Sequence, residues 1–406
     1  MPHDLEPHSS RSTAVFALRR RFEHAPALTA GVEEEVILLD PKTFLPTDAV
    51  EDVLARIGDD PRFKPELRCA QLELVTPPAS TVADVARELA AARRILVERL
   101  RGEIRYAALG THPSSTTMSA VTPTRRFREI GEELRWLARA ALPCGLHVHV
   151  AVDTAERALA VYNAFRSYLP EIAALAANSP FYEGRDTGLA SARLKLREDH
   201  PRSGIPPSFA SWQGYTEFVA WGARGGVIRD PSYHWWDLRL NTLHGTIEVR
   251  AADSQTRVDH AAGIAALCQS LAAALVDRHD AGDPLPVHDT QRISENRWRA
   301  VRDGIGGELV DLDTGSPVAT RERLRDLLGE LEPYAVSLGC ERELGYALDL
   351  VTANGAVRQR AIAAAVGVDR LAGWLSDETE MSTSSAAPML HAVAPEPARA
   401  AGGRIR

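Results

Sequence analysis

Four short stretches of this 406-residue chain carry residue types that could do chemistry together. In Gly31-Val32-Glu33-Glu34-Glu35-Val36-Ile37-Leu38-Leu39, Glu33 and Glu35 lie two apart in a strand-like run, so both point to one face. Two adjacent carboxylates repel, and a hard cation such as Mg²⁺, which takes a few carboxylates together with substrate phosphates, would relieve that repulsion. The same pair also fits a solvent-exposed strand face. Glu66 and Glu73 form a second acidic pair, with Glu73 in phase with Gln71 and Val75 rather than with Leu72 and Leu74. The third stretch, Cys144-Gly145-Leu146-His147-Val148-His149-Val150, places two histidines on one strand face. That spacing suits zinc, yet no further histidines or cysteines stand at ligand spacing, and one of the pair is expected to be structural. In the fourth, Gly245-Thr246-Ile247-Glu248-Val249-Arg250, Thr246, Glu248 and Arg250 share a face. Glu248 could ligate a cation while Arg250 faces a phosphate, because a guanidinium matches phosphate oxygens bidentately. A surface salt-bridge strand is the plainer alternative.

A P-loop is excluded, and neither a dinucleotide fold nor a hydrolase nucleophile elbow has support. Lysine occurs only at Lys42, Lys64 and Lys195, none behind a G-x-x-x-x-G run. No G-x-G-x-x-G follows a strand, and no G-x-S-x-G elbow is present. Any bound ATP must be held by cations and arginines.

The elements that must position these residues are read from periodicity and turn residues. Strands are expected at Leu28 to Leu39, Ala70 to Thr76, Ile104 to Leu109, Gly145 to Val150, Asp237 to Leu240 and Gly245 to Ala251. Helices are expected over 81–101, 154–178, 258–278, 290–303, 319–337 and 356–375. Strands and helices mix without a regular β-α-β-α order, which predicts an α+β fold with a mostly antiparallel sheet. Residues 1–27 and 376–406 are polar, Ala/Ser/Pro-rich and aperiodic, and read as flexible tails around one domain at 28–375. The Pro-, Gly- and aromatic-rich stretch 203–231 is the candidate substrate-covering loop, with 205–214 expected to be dispensable for folding.

A net charge of −8 argues against nucleic acid and anionic membrane as partners. Four scattered cysteines fit a reducing cytoplasm, and neither a signal h-region nor an uninterrupted apolar run of ~18 residues is present.

As an ordered set, the motifs resemble the bacterial carboxylate–amine ligase family, the second type of glutamate–cysteine ligase, over about residues 28–375. They are G-V-E-E-E, E-x6-E-L-V-T, G-T-H-P (110–113), G-L-H-V-H-V, N-S-P-F with D-T-G-x-A-S-x-R (178–193), W-D-L-R, G-T-I-E-V-R, E-N-R-W-R-A (295–300) and N-G-A-x-R-Q-R (354–360). The resemblance implies a curved, glutamine synthetase-like sheet with flanking helices. It also implies ATP- and Mg²⁺-dependent amide formation through an acyl phosphate, from small amino acid substrates (glutamate and cysteine or a related acid and amine), and self-association as a homodimer. By residue, it implies Glu33, Glu35, Glu66, Glu73, His147 and Glu248 around the cations, Arg250 facing the transferred phosphoryl group, and Arg193 and Arg239 facing substrate or phosphate. Two other readings stay open: a metal-dependent hydrolase built on His147 and His149, and a non-catalytic member of the fold.

Overall fold

The computed structural model describes residues 18–116 and 118–383. Its centre is a seven-stranded sheet whose paired strands all run antiparallel. The strands are β1 (Ala30–Leu39), β2 (Phe63–Pro65), β3 (Gln71–Val75), β4 (Arg105–Ala107), β5 (Gly145–Ala151), the hairpin β6 (Phe181–Tyr182) and β7 (Arg185–Asp186) outside the sheet, then β8 (Leu238–Asn241) and β9 (Thr246–Asp253). Their order is β2-β3-β1-β5-β9-β8, with β4 paired to the far end of β1. The α+β class and mostly antiparallel sheet are therefore as expected.

β1 explains the two-sided character of the sheet. Val32, Val36 and Leu38 point into the main core, which the helices at Val82–Leu100 and Val258–Asp280 complete. On the opposite face Ile37 and Leu39 join a second core with Cys144, Phe181, Leu371 and Leu375, while Glu33 and Glu35 occupy the other end of the strand. Alternation thus puts the middle glutamate, Glu34, among apolar side chains. There it is fully buried and bidentate to the equally buried Arg93, at 2.9 and 2.7 Å. Arg93 also donates to the carbonyls of Gln255 and Thr256, so the pair's remaining donors are satisfied.

The helix Val258–Asp280 is buried almost throughout, and it alone among the described residues is long and apolar enough to cross a membrane by composition. Its burial accounts for that composition. Gly263 lets it approach the helix Glu341–Thr352: a Cβ there would lie 2.8 Å from the backbone nitrogen of Ala347.

Several boundaries differ from the sequence expectation. The stretch 154–178 is two helices, Ala155–Phe165 and Leu169–Leu175, with a 3-10 turn between them and Pro170 opening the second. The stretch 356–375 divides at Gly367 (φ 87°) into Gly355–Val366 and Val368–Met381. That last helix moves the domain boundary beyond 375. Ser376 and Thr379 are buried, and Glu378 receives hydrogen bonds from Arg257 and Arg358. At the other end, within 1–27, Phe22 is fully buried with its ring edge-on to Trp212. The rest of the two tails, 1–17 and 384–406, lies outside the described residues.

The stretch 203–231 is a loop only in part, and of it Asp230 and Pro231 border the cavity described below. It contains the helix Trp212–Arg224, and its approach segment is pinned by Arg166 to the Pro206 carbonyl, Tyr162 to the Pro207 carbonyl and Asn163 to the Phe209 carbonyl. Ile205 and Trp212 are buried, so 205–214 is anchored in the core at both ends, against the expectation that it is dispensable.

Candidate active site

Strand register brings the chemistry-bearing residues together on one sheet face. Glu35 pairs with Glu73 across β1 and β3, Glu33 with His147 across β1 and β5, His149 with Glu248 across β5 and β9, and Glu248 with Arg239 across β9 and β8. Cross-strand partners share a face, so five strands contribute to one surface. Between Leu146 and Val148 the register with β9 shifts, two steps along β5 facing three along β9, so the extra residue lies in β9 at Arg250–Ala251, opposite His147. Above this face lies a cavity of about 830 Å³ lined by Glu33, Glu35, Glu66, Glu73, His147, Arg239 and Arg250, among others. Trp235 and Asp230-Pro231-Ser232 close one side, and the β8–β9 turn closes another.

The electrostatics are unbalanced in a way that calls for cations. Burial, followed by the charge of Glu35, pushes Glu66 up to about 7. Burial, then Glu33 and Glu66, raises Glu73 well above the usual carboxylate range. Burial works in the same direction on Glu33, but the charge of His149 and hydrogen bonding to both histidines outweigh it and hold Glu33 low. Glu35 is likewise held low against burial, by His147, Arg193 and Arg197 and by the Gly145 N–H, which donates to its Oε2 at 2.6 Å.

Glu33 lies between the two histidines. Its Oε2 is 3.2 Å from His147 Nδ1 and its Oε1 is 3.4 Å from His149 Nε2. Both Nε2 atoms are buried and meet a carboxylate only at ion-pair range, His149 at Glu33 and His147 at 3.7 Å from Glu35 Oε1, without a well-formed hydrogen bond. Two groups of three residues each have ligand atoms within 4.8 Å of one another: Glu33, Glu73 and His147, and Glu33, His149 and Glu248. Orphaned imidazole nitrogens among mutually repelling carboxylates fit divalent cations, with Glu33 common to both positions. Burial and Arg250 lower His147 to about 4, leaving it the neutral imidazole that a cation requires. His149, which the resemblance leaves outside the cation set, is thus placed at a candidate ligand position too, although against burial Glu33 and Glu248 raise its pKa, so a cation bound there would displace its proton. Its Nδ1 is fixed 2.9 Å from Thr246 Oγ1.

The arginines are sorted differently from the sequence expectation. Arg193 does not face the cavity. It is fully buried, its Nη1 and Nη2 donate to the Arg250 carbonyl at 3.4 and 3.3 Å, and Nη1 lies 3.7 Å from Asp253. Arg239 borders the cavity, but Nε and Nη2 grip Glu248 and Nη1 donates to the Ser232 carbonyl at 2.8 Å, which leaves it positioning Glu248 rather than reaching for phosphate. Glu248 is also bound by Arg250 and by Asn241 at 2.8 Å. Against burial, Arg239 and Arg250 keep it ionised. Arg250 lines the cavity with a buried Nε that has no partner.

Three cavity arginines were not singled out from the sequence, Arg68, Arg126 and Arg197. Arg197 lies on the short helix Ala192–Glu198, just past the D-T-G-x-A-S-x-R motif, and only its i+4 spacing from Arg193 marks it.

The glutamate–cysteine ligase family 2 profile matches residues 29–384. This chain belongs to that family. A Rubrobacter xylanophilus protein provisionally named glutamate–cysteine ligase 2-3 is 43% identical over 358 residues, covering 86% of this chain and 96% of the relative. A Thermobifida fusca protein provisionally named glutamate–cysteine ligase 2 is 35% identical over 356 residues, covering 86% and 89%. The fold is shared with the glutamate–cysteine ligase of Francisella tularensis, solved with AMP, at a TM-score of 0.66 and 12% identity, over 88% of this chain and 89% of that one. It is shared too with a bifunctional glutathione synthetase of Pasteurella multocida, at a TM-score of 0.63 and 16% identity, over 93% and 54%. Membership of glutamate–cysteine ligase family 2 makes the chain an ATP-dependent carbon–nitrogen ligase acting on small amino acid substrates, and sets aside the hydrolase and non-catalytic alternatives.

Proposed function

We propose that this ligase joins the side-chain carboxyl group of glutamate to the amino group of cysteine, using ATP and Mg²⁺. The observation that carries the reading is the gathering of Glu33, Glu73, His147, His149 and Glu248 into two cation-sized groups beside the unpartnered Nε of Arg250.

A carboxylate is a poor electrophile and must be activated first. An oxygen of the glutamate side-chain carboxylate attacks the terminal phosphorus of ATP. The bond from that phosphorus to its bridging oxygen breaks, and ADP leaves. In the resulting acyl phosphate, the amine lone pair attacks the carbonyl carbon, the carbon–oxygen bond breaks, inorganic phosphate leaves, and the amine nitrogen sheds its proton. Bound Mg²⁺ supplies charge neutralisation at the phosphates. Glu33, Glu73 and His147 would hold one cation and Glu33, His149 and Glu248 another, with Glu35 and Glu66 in the surrounding acidic wall.

The chain's own contribution is positioning. Arg239 and Asn241 hold Glu248, Glu248 holds Arg250, and Arg193 supports the Arg250 carbonyl from behind. Arg250 therefore meets developing phosphoryl charge from a fixed direction, with little reorganisation needed during the reaction.

The test is phosphate release from ATP with glutamate alone, cysteine alone and both, with the peptide product identified by mass. Release that needs both, with γ-glutamylcysteine formed, is the expected result. Release only with another acid and amine would replace the substrates and keep the ligase.

A further inference from the structure

Of the motifs E-N-R-W-R-A (295–300) and W-D-L-R (236–239), only Arg239 reaches the cavity. Each motif also holds a buried charge with no part in the chemistry above: Arg297, 4% exposed, and Asp237, 5% exposed. The two are paired. Arg297 Nε donates to Asp237 Oδ2, and its Nη2 lies 3.5 Å from Oδ1. Desolvation offsets most of the attraction in such a buried pair, so its placement matters more than its net contribution to stability.

That placement is beside the extra residue of β9. At Arg250–Ala251 the strand leaves its regular pairing with β5, and the two backbone groups of Arg250 are held from elsewhere. The N–H donates to the Asp237 carbonyl at 2.8 Å, just outside the paired stretch of β8. The carbonyl accepts from Arg193 Nη1 and Nη2. Arg297 reaches both supports. Besides gripping Asp237, its Nη1 donates to Glu198 and its Nη2 to the Leu194 carbonyl at 3.5 Å, and both partners lie on the helix Ala192–Glu198 that carries Arg193. The helix bearing Arg297, Thr290–Asp303, also meets the start of that short helix, where the Val301 carbonyl accepts the N–H groups of Ala190 and Ser191 at 2.8 and 3.1 Å. Asn296 pins the longer helix to the strand Glu308–Val310 by two hydrogen bonds with Val310, at 2.6 and 2.8 Å. Arg297 thus stands on a fixed element and joins the acceptor of the Arg250 N–H to the donor at the Arg250 carbonyl.

We propose that Arg297 is a positioning residue for the ligase reaction, a role that rests on the reading of Arg250 given above. Through Asp237 and through the helix of Arg193 it sets the backbone at residue 250, and so the direction from which the Arg250 guanidinium meets the phosphoryl group. A guanidinium suits this task and an ammonium does not. Its planar fork engages two carboxylates and a carbonyl at fixed angles, whereas lysine offers a point charge on a flexible stem. A shift of about 1 Å caused far from the reacting atoms is enough to cost about 10²-fold in rate.

The experiment measures kcat, and KM for ATP and for glutamate, in the wild type, Arg297→Lys, Arg250→Ala and the double variant, with folding followed by near-ultraviolet circular dichroism. Lysine keeps a positive charge beside Asp237, so Arg297→Lys is expected to fold. Its kcat should fall about 10- to 100-fold, with both KM values within about twofold of wild type. In the Arg250→Ala background the same substitution should change kcat by less than about threefold, because the group it positions is gone. A folded Arg297→Lys protein with the kcat of wild type would make the residue structural and overturn the proposal, as would losses that multiply across the two backgrounds. If Arg297→Lys does not fold, Asp237→Asn carries the same test, since it keeps the carbonyl that accepts from Arg250 and loses the charged grip of Arg297. An Arg250→Ala protein that keeps full kcat would overturn the phosphoryl-transfer role of Arg250 and this inference with it, while leaving the ligase intact. A wild type that cleaves ATP with no acid–amine pair would overturn the ligase reading itself.

Discussion

The guanidinium of Arg193 rests directly on Gly145, so that a Cβ on that glycine would overlap Nη2. The neighbour is a fully buried arginine tied to Asp253 and to the Arg250 carbonyl, which cannot swing aside. Gly145→Ala is therefore predicted to cost about 1–3 kcal/mol of stability, in the range of core overpacking. Urea denaturation measures the loss. Ligase activity should fall further than the folded fraction does, because the displaced group supports Arg250.

Arg250 itself is predicted to act on the chemical step. Replacing a preorganised donor at developing charge typically costs about 10²–10³ in rate, so Arg250→Ala should lower kcat by that order and change KM for ATP little. Steady-state phosphate release separates the two constants. Unchanged kcat would remove Arg250 from the phosphoryl-transfer role.

The middle glutamate of the E-E-E run should behave unlike its neighbours. Glu34→Gln leaves the buried Arg93 without its counter-charge, and breaking such a pair costs about 3–5 kcal/mol. Chemical denaturation should show that loss, while the fraction that remains folded keeps its kcat.

How much of this could be read in the sequence varied by residue. Period-2 alternation placed Glu33, Glu35, Gln71, Glu73, Thr246, Glu248 and Arg250 on consistent strand faces, because strand geometry leaves a side chain only two directions. Partnering was not legible. Arg193 and Arg239 share a residue type with Arg250, yet one is a buried support and the other a clamp on Glu248, a difference set by cross-strand register and by a helix distant in sequence. Arg68 was hidden because nothing local shows that its one fixed partner is the Leu137 carbonyl, 69 residues on. The short helix carrying Arg197 buries too little of one face to give a clear 3.6-residue pattern. Beyond 375, the Ser- and Thr-rich composition suggested a tail, but Ser376 and Thr379 are buried by donating to the carbonyls of Tyr106 and Leu375.

One pH effect follows from His112. Its Nδ1 accepts from the backbone N–H groups of Ser114 and Ser115, at 3.3 and 2.9 Å, and its Nε2–H donates to the Phe44 carbonyl at 2.8 Å. Burial lowers its pKa to about 4, and the accepting Nδ1 has no room for a proton. The unfolded chain takes up that proton near the ordinary value of about 6.5. Stability present above about 6.5 is therefore lost as pH falls toward 4, by about 1.4 kcal/mol per pH unit for this one group. Denaturation at pH 6.5 and 5 should show a steeper loss for the wild type than for His112→Gln, since the other histidines are common to both. Parallel losses would show that His112 titrates normally in the folded protein.

The central claim is that Glu33 is shared by two cation positions that serve ATP. Mg²⁺ titration by calorimetry, followed by ATP-driven γ-glutamylcysteine formation, tests it in wild type and Glu33→Gln. The account predicts that the variant folds as wild type does, weakens Mg²⁺ binding at both positions, and loses at least about 100-fold in turnover, as when a positioned electrostatic group is removed. A folded Glu33→Gln protein that binds Mg²⁺ and turns over like wild type would contradict it.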